Sequence, residues 1–300
     1  MGIGLGIWDR SFRAYKKGGF ATAERARCTW RALDSFVEKK GWHDVRPETI
    51  TPKQMRIFLE ARAAEISARS VQNEASHLRR AIEGSGRDLG DVRDSRNSWS
   101  SERMGIESVS RFGGKSAMSM EVFEEARKQL REDVRACVDL QKSIGLRRAE
   151  AIQAGPSLRE WSRELERATQ DGRGTFLNVR DGCKGGRERC VWVPLERVAE
   201  VLQVVHQAQS VSQRDGRIID VKGLKEAKTI YSYELYRSGL TGDNSGHGLR
   251  RAFAQSQYRI YREHGFDERD ALARLSRDLG HGDGRGRWVW NNYLAGGEGV

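Results

Sequence analysis

The chain has 300 residues, of which 37% are hydrophobic and 32% are charged. At roughly 100–200 residues per domain, this length allows one large domain or two ordinary ones. No run approaches the roughly 18 consecutive apolar residues that a membrane span needs, which argues against an integral membrane protein. The first residues also lack the basic and apolar regions of a secretory signal, so secretion is not expected.

The four cysteines are too few and too widely spaced for a disulfide framework, so we expect a reducing cytosol. Cys183 and Cys190 lack the paired spacing of a zinc site, and Asp and Glu are not grouped as in a metal-dependent nuclease. No GxxxxGK[ST] phosphate loop is present, which argues against nucleotide hydrolysis.

The balance of charge points to a polyanionic partner. Fifty-three Lys and Arg residues outnumber 42 Asp and Glu residues, which gives a formal net charge of +11. Each phosphate that a basic side chain neutralises releases condensed counterions, so this excess favours nucleic acid. Charge alone leaves open a merely basic soluble protein.

Apolar residues between positions 19 and 82 recur at helical spacing and predict three helices. The first helix ends near Gly41. Thr51-Pro52-Lys53-Gln54 is a capping box that begins the second helix. Ser70 is a candidate cap for the third helix, which Gly84 stops.

The more polar faces of the second and third helices carry basic side chains: Lys53, Arg69, His77, Arg79 and Arg80. Arg62 lies nearer the apolar stripe and would have to extend outward to reach a partner. A solvated charged face and a DNA-backbone contact explain these residues about equally well, and the net charge favours DNA.

The apolar periodicity disappears between Ser85 and Ser119, where Gly, Ser, Arg and Asp dominate. This composition predicts a linker that lies along or around the partner. Its basic end, with Arg111 and Lys115, is a candidate DNA contact.

Helical spacing resumes at Ser119, a plausible cap. Two helices then follow, the first with Val122, Phe123, Ala126 and Leu130 inward and the second with Val134, Cys137, Val138 and Gln141. The second helix runs up to Gly145, and Ser157-Leu158-Arg159-Glu160 is another capping box.

The pattern then changes from helical to alternating. Thr175–Val179 and Cys190–Val193 predict two strands around the Gly-rich turn 181–186. A helix with Val198, Val201, Leu202 and Val205 follows. Further helices are expected at about 224–238, 247–264 and 268–279.

Four short segments of this second part carry residues suited to phosphodiester chemistry: Gly145-Leu146-Arg147-Arg148-Ala149-Glu150, the hairpin tip with Lys184, His247-Gly248-Leu249-Arg250, and Leu279-Gly280-His281 followed by Tyr293. Breaking a phosphodiester without a metal requires a nucleophile, a proton donor for the leaving alkoxide, and cations around the phosphorane. Each residue alone has an ordinary structural explanation, such as a surface ion or a packed ring. Their joint occurrence indicates a site.

Taken in that order, the segments resemble the tyrosine recombinase (phage integrase) family, whose catalytic set is Arg, Lys, His-x-x-Arg, His and Tyr. The stretches 247–255 and 275–281 are especially similar to the integrases of integrative elements. The resemblance covers nearly the whole chain.

The family resemblance implies a mainly α fold. An N-terminal extension (1–18) would precede a SAM-like, DNA-binding helical bundle (19–86). A linker (87–118) would lead to a mostly helical catalytic domain with a small β-hairpin (119–300).

The same resemblance implies a site-specific recombinase that cleaves and rejoins DNA through a 3′-phosphotyrosyl intermediate, with no metal, ATP or other cofactor. Tyr293 would attack the phosphate, Arg147 and Arg250 would hold its non-bridging oxygens, and Lys184 would protonate the leaving 5′ oxygen. His247 and His281 complete the set. Glu150 would orient Arg147 or His247.

The implied partners are a double-stranded recombination site and, in the synaptic complex, three further copies of the chain, which would be monomeric when free. Accessory DNA-bending or directionality proteins are also expected, in a bacterial cytoplasm at the nucleoid. A type IB topoisomerase-like enzyme and a catalytically inactive DNA-binding accessory protein remain alternatives.

Two features depart from the family pattern. The spacing from His281 to Tyr293 is longer than usual by about one helical turn. The Gly-rich stretch 282–287 is expected to loop out, and only residues 294–300 follow the tyrosine.

Overall fold

The structure, a computed structural model, describes residues 3–15, 20–109, 118–212 and 216–295. The chain forms two compact units, Met1–Ser110 and Arg111–Val300, and each has its own hydrophobic core. No helix within these described ranges is both long enough and apolar enough to cross a membrane.

The N-terminal unit is a bundle of helices: α1 (Leu5–Tyr15), α2 (Phe20–Lys40), α3 (Pro52–Ala63) and α4 (Ala68–Gly84). The start of α3 confirms the capping box, because the side chains of Thr51 and Gln54 each accept a hydrogen bond from the other's backbone N–H. Helix α4 begins earlier than predicted. Its N-cap is Ser67, whose hydroxyl accepts the N–H of Ser70.

Segment 1–18, expected as an extension, contributes α1 to this bundle. Trp8 and Phe12 are buried, and the ring centroids of Trp8 and Trp30 lie 5.2 Å apart. Gly84 allows α1 to approach α4 closely, since a Cβ there would lie 1.8 Å from the carbonyl oxygen of Ser11. The start of the chain is rich in glycine, which is a poor helix former, so the sequence pattern does not predict this helix.

Residues 85–109, expected as the greater part of the linker, also pack on the N-terminal core. Leu89, Trp99 and Met104 are buried there, and Asn97 Nδ2 donates to the carbonyl oxygen of Leu89 at 2.7 Å. These apolar residues lie on successive irregular turns and are not spaced at a helical or strand period. The sequence of this segment therefore resembles that of a linker. The stretch 110–117, with the two predicted basic contacts, lies outside the described residues.

The C-terminal unit is mostly helical with one small antiparallel sheet, as predicted. Strands β1 (Thr175–Val179) and β2 (Arg189–Val193) pair with Thr175 opposite Val193. The helices before the sheet are α5 (Met120–Gln129), α6 (Glu132–Ile144), α7 (Arg148–Ile152) and α8 (Leu158–Asp171). Those after it are α9 (Leu195–Val211), α10 (Leu224–Arg237), α11 (Gly246–Glu263), α12 (Glu268–Asp278) and α13 (Gly286–Val289), followed by a π-helical turn at Trp290–Leu294.

Three local predictions in this unit fail. Ser119 lies at the N-cap position of α5, but its side chain makes no capping hydrogen bond. Ser157 lies at the N-cap position of α8, but its side chain makes no capping hydrogen bond, because it ends a 3₁₀ turn and its hydroxyl donates to Asp181 Oδ2 at 3.1 Å. Val122 does not face inward on α5 and is 41% exposed, whereas Phe123 and Ala126 are buried.

Gly145 ends α6 and allows α11 to pack closely against it. Its φ of 66° lies in the left-handed region, and a Cβ at this position would lie 2.3 Å from the ring of Phe253 on α11. Glycine satisfies both the backbone torsion and the close approach.

We predict that Gly145→Ala destabilises the protein more than Gly172→Ala. Both glycines end a helix with positive φ, but nothing lies within 4 Å of a Cβ built at Gly172. Gly172→Ala should cost only the left-handed torsion, about 1–2 kcal/mol of unfolding free energy. Gly145→Ala should cost about 1–3 kcal/mol more, because the methyl group overpacks against Phe253. Urea unfolding followed by circular dichroism measures both changes, and equal losses would contradict the packing described here.

Candidate active site

The start of α7 places Arg147 against Glu150. The N–H of Arg147 donates to Glu150 Oε2 at 2.7 Å, and its Nη1 donates to Oε1 at 2.6 Å. Glu150 is 1% exposed. Burial by itself raises the pKa of this carboxyl, but the positive charges of Arg189 and Arg147 hold the pKa below its ordinary value. Glu150 is therefore ionised and fixes the direction of the Arg147 side chain.

The C-termini of two helices supply carbonyl oxygens to the arginines. Arg250 on α11 donates through Nη1 to Gly145, at the end of α6, and through Nη2 to Leu279, at the end of α12. Arg147 Nη2 donates to the same Leu279 oxygen at 2.9 Å. The last carbonyls of a helix lack intrahelical partners and carry the negative end of its dipole, so they suit guanidinium groups.

Arg250 is deeply buried, with 2% of its surface exposed. Burial lowers its pKa to about 10, and the charges of Arg189 and Arg147 act in the same direction. The Arg250 guanidinium therefore stays protonated at neutral pH.

Tyr293 brings its phenol oxygen into the same cluster. Arg250 Nε donates to this oxygen at 3.3 Å, and His281 Nε2 lies 3.2 Å from it. The tyrosine is 4% exposed. The long spacing from His281 is taken up by a turn at 283–284, by α13 and by the π-helical turn that contains Tyr293, so the phenol keeps its place beside the arginine.

Helix α11 also holds the backbone around Tyr293. Arg251 Nε donates to the carbonyl oxygen of Asn292 at 3.2 Å, and Gln255 Nε2 donates to that of Tyr293 at 3.3 Å. The tyrosine therefore reaches the cluster within a single chain.

His281 follows α12, and its ring packs on Trp288 with centroids 4.4 Å apart. Burial, together with the positive charges of Arg250 and Arg147, lowers the pKa of His281 to about 3. The imidazole is therefore neutral at pH 7, when it contacts the phenol.

His247 lies at the start of α11 on the exposed side of the cluster. Its ring centroid is 5.8 Å from that of Tyr293. Arg147, His247, Arg250 and Tyr293 line one cavity of about 480 Å³. The structure thus brings together the Arg, His-x-x-Arg, His and Tyr residues singled out in the sequence.

Lys184 is not joined to this cluster. It lies at the exposed tip of the hairpin, and no hydrogen bond or ion pair of its ammonium group is found within the described ranges. Gly182, Gly185 and Gly186 around it all have positive φ. Lys184 is not among the residues that line the cavity, and its part in the site stays a prediction.

Arg189 is a buried residue of the site that sequence reasoning missed. Its Nη2 forms an ion pair with Glu150 Oε2 at 2.9 Å. The available signal was the two-residue period of the second strand, in which Arg189 shares a face with the buried residues Val191 and Val193.

Five of the six residues of α3 and α4 that are predicted to contact DNA have partners inside their own unit, and three of them are described first. Arg62 forms two hydrogen bonds with Glu74, both 3.0 Å long. Arg79 Nε donates to the carbonyl oxygen of Trp99 at 3.0 Å. His77 lies 2.9 Å from Thr29 Oγ1, and burial lowers its pKa. These contacts hold the three side chains within the unit, and their contact with DNA stays a prediction.

The other predicted contacts of this unit are more varied. Lys53 is exposed on α3. Arg69 Nη2 donates to the carbonyl oxygen of Val109 at 3.2 Å, and the guanidinium of Arg80 lies 4.3 Å from the centre of the Phe12 ring. Their contact with DNA stays a prediction.

No group of three or more His, Cys, Asp and Glu residues placed to hold a metal ion occurs in the part of the chain that the structure describes.

The helical fold, with a tyrosine held among arginine and histidine side chains, defines the class of the tyrosine recombinases. A family model described as Integrase matches residues 105–256, about half of the chain, and the chain therefore belongs to the integrase family of tyrosine recombinases. A search of curated proteins finds no significant match.

Several solved structures share this fold. A lambda integrase tetramer bound to a Holliday junction aligns with a TM-score of 0.56 and 15% identity, over 100% of this chain and 80% of that one. XerH site-specific recombinase, bound to palindromic difH substrate, aligns with a TM-score of 0.54 and 14% identity, over 90% of this chain and 76% of that one. The Tn1549 transposon integrase in complex with transposon right end DNA aligns with a TM-score of 0.54 and 12% identity, over 98% of this chain and 95% of that one.

We predict that the His281 ring stays neutral between about pH 5 and pH 8, because its pKa is about 3. Its carbon-bound proton signals in NMR should not shift across this range, and their loss in His281→Gln identifies them. Below the ordinary histidine pKa of 6.5, only the unfolded chain gains this proton, so His281 weakens folding as the pH falls. A titration midpoint near 6.5 in the folded protein would contradict the buried, arginine-lined environment.

Proposed function

We propose that this protein is a site-specific DNA recombinase that cleaves and rejoins double-stranded DNA through a 3′-phosphotyrosyl intermediate. The observation that carries the proposal is the phenol oxygen of Tyr293, which lies within hydrogen-bonding distance of both Arg250 and His281. A nucleophile beside fixed positive donors is what in-line attack on a phosphodiester requires.

The scissile phosphate would enter the cavity that Arg147 and Arg250 line. Each Nη atom bound to a carbonyl or carboxylate oxygen in the structure keeps a second hydrogen, which can bind a non-bridging phosphate oxygen. The existing contacts hold the two guanidinium groups before DNA arrives. The donors therefore need little reorganisation when negative charge develops on the phosphorane.

The reaction would exchange one phosphodiester for another. The Tyr293 oxygen forms a bond to phosphorus as its proton leaves, and the bond from phosphorus to the 5′ oxygen breaks. The neutral ring of His281 can accept the phenol proton, since a bound phosphate anion would raise its pKa from the value in the free protein. Lys184, on the exposed hairpin tip, is the proposed donor of a proton to the 5′ oxygen.

The phosphotyrosine bond conserves the energy of the cleaved linkage, so this chemistry calls for neither ATP nor another cofactor. The solved structures with a similar fold include a lambda integrase tetramer bound to a Holliday junction and a post-cleavage complex of XerH recombinase. By this similarity we propose a tetramer around two DNA sites, accessory proteins that set direction, and a place in the bacterial cytoplasm.

We predict that Tyr293→Phe abolishes the covalent protein–DNA adduct on a nicked suicide substrate, since the variant lacks only the attacking oxygen. DNA affinity should change by less than about threefold. Denaturing electrophoresis measures the adduct, and a mobility-shift titration measures binding. Tyr236→Phe, which changes an exposed tyrosine of α10, is the matched control and should form the adduct normally. An adduct that survives in Tyr293→Phe would mean that another residue is the nucleophile.

We predict that Arg147→Lys slows cleavage by about 10²–10³-fold, because an ammonium group cannot contact Glu150, Leu279 and a phosphate with one rigid fork. Single-turnover cleavage of pre-bound substrate measures this rate. Arg163→Lys, at an exposed position of α8, makes the same change outside the cavity and should cleave at the normal rate. Near-normal cleavage by Arg147→Lys would count against a direct phosphate contact.

A further inference from the structure

Arg189 is a buried arginine that touches the supports of the site rather than the phenol. It begins β2, and its side chain is 3% exposed. Its Nε donates to the carbonyl oxygen of Asp278 at 2.6 Å, and its Nη2 reaches Gly145 at 3.3 Å and Glu150 at 2.9 Å. The residue thus connects the hairpin to the ends of α6 and α12 and to the start of α7.

These three contacts coincide with the groups that hold the proposed phosphate-binding arginines. The oxygen of Gly145 also accepts Arg250 Nη1, and Glu150 also holds Arg147. Asp278 is followed by Leu279, whose oxygen accepts both Arg147 and Arg250. A shift of Arg189 would therefore displace Arg147 through Glu150 and the Leu279 oxygen, and Arg250 through the oxygens of Gly145 and Leu279.

Packing alone gives a weak reason for an arginine at this position. The Nη1 atom of Arg189 is buried and has no hydrogen-bond partner among the described residues. Burying a guanidinium with an unmatched donor is unfavourable, and an apolar side chain of similar volume often gives a more stable core. The favourable contacts of Arg189 are those to the site supports.

The turn after α12 is fitted to this side chain. Gly280 has a φ of 64°, and a Cβ there would lie 2.7 Å from Arg189 Cδ and 3.4 Å from Arg147 Nη1. The stem of Arg189 thus lies directly under the turn that presents the Leu279 oxygen.

We propose that Arg189 is a positioning residue for DNA cleavage: it fixes Glu150 and the carbonyl oxygens of Gly145 and the α12 turn, and through them aims Arg147 and Arg250 at the phosphate. This inference rests on the proposed function.

The charge of Arg189 also keeps Glu150 ionised. The groups that face this carboxylate are Arg189, Arg147, Arg250 and the thiol of Cys183. Without Arg189, burial is opposed by less positive charge, so the pKa of Glu150 rises. Protonation of Glu150 as the pH falls would then loosen its hold on Arg147, which gives the variant an acid-dependent loss that the native protein lacks.

The test is single-turnover cleavage of a suicide substrate by the full-length Arg189→Met variant at saturating DNA. We expect the cleavage rate to fall by about 10–100-fold, because a small misplacement of the groups around the reacting atoms has an effect of this size. DNA affinity should stay within about threefold of the native value. The ratio of variant rate to native rate should fall further as the pH is lowered from about 8 to about 5.5.

The matched control is Arg127→Met, which breaks another arginine–carboxylate pair of the same unit, in which Asp139 is buried and Arg127 is half-buried. Arg127 contacts both oxygens of Asp139 at 2.6 Å, away from the cluster. This variant should lose stability but cleave at the native rate per folded molecule. Arg189→Lys keeps the charge beside Glu150, so it should remove the extra acid dependence and recover only part of the rate.

A native rate and an unchanged pH profile in folded Arg189→Met would overturn the inference. If Arg189→Met does not fold, Arg189→Lys decides the question. A native cleavage rate in Arg189→Lys would overturn the inference, because lysine cannot contact Glu150, Gly145 and Asp278 together. A reduced rate with the native pH dependence would support it. Absence of any adduct with the native protein would instead contradict the proposed function itself.

Discussion

Backbone carbonyl oxygens at the ends of two helices hold the positive charges of the site beside the Tyr293 phenol. The oxygen of Gly145 closes α6, that of Leu279 follows α12, and together they accept hydrogen bonds from three arginines. Carbonyl dipoles stabilise guanidinium groups without a full negative charge. Within the described residues, Glu150 is the one carboxylate with an ion pair to these arginines, so the cluster keeps a net positive charge that a phosphate can neutralise.

The fold follows from bringing these helix ends together. Gly145 must be left-handed and lack a side chain so that α11 can pack over it, and α11 in turn carries Arg250 and holds the backbone of Tyr293. The hairpin supplies Arg189 from the other side. Each group that would touch the phosphate thus depends on a helix terminus or a strand end for its position.

The sequence predicted the parts of this arrangement that have a regular period or a compact motif. Helices α10, α11 and α12 begin and end within one residue of the predicted positions, and the His-x-x-Arg spacing placed two candidate side chains at the start of α11. Tyr293 was assigned from order along the chain. Its contact with Arg250 could not be read from the sequence, because it depends on how α13 and the π-helical turn fold after the Gly-rich stretch.

Features without such a period were missed or placed wrongly. The packed segment 85–109 buries isolated apolar residues through irregular turns, and α1 lies in a stretch that begins with several glycines. The ion pair of Arg62 on α3 with Glu74 on α4 was also missed, because no local sequence pattern indicates a pair between two helices. Lys184 lies at an exposed hairpin tip, and its assignment to the site stays a prediction.

The identity of the residue that becomes linked to DNA is the most direct test of the proposed mechanism. The native protein can be trapped on a nicked suicide substrate, digested with a protease, and the nucleotide-bearing peptide sequenced by mass spectrometry. The account predicts a single modified peptide with the 3′-phosphate on the oxygen of Tyr293. A phosphate bonded to any other side chain would contradict it.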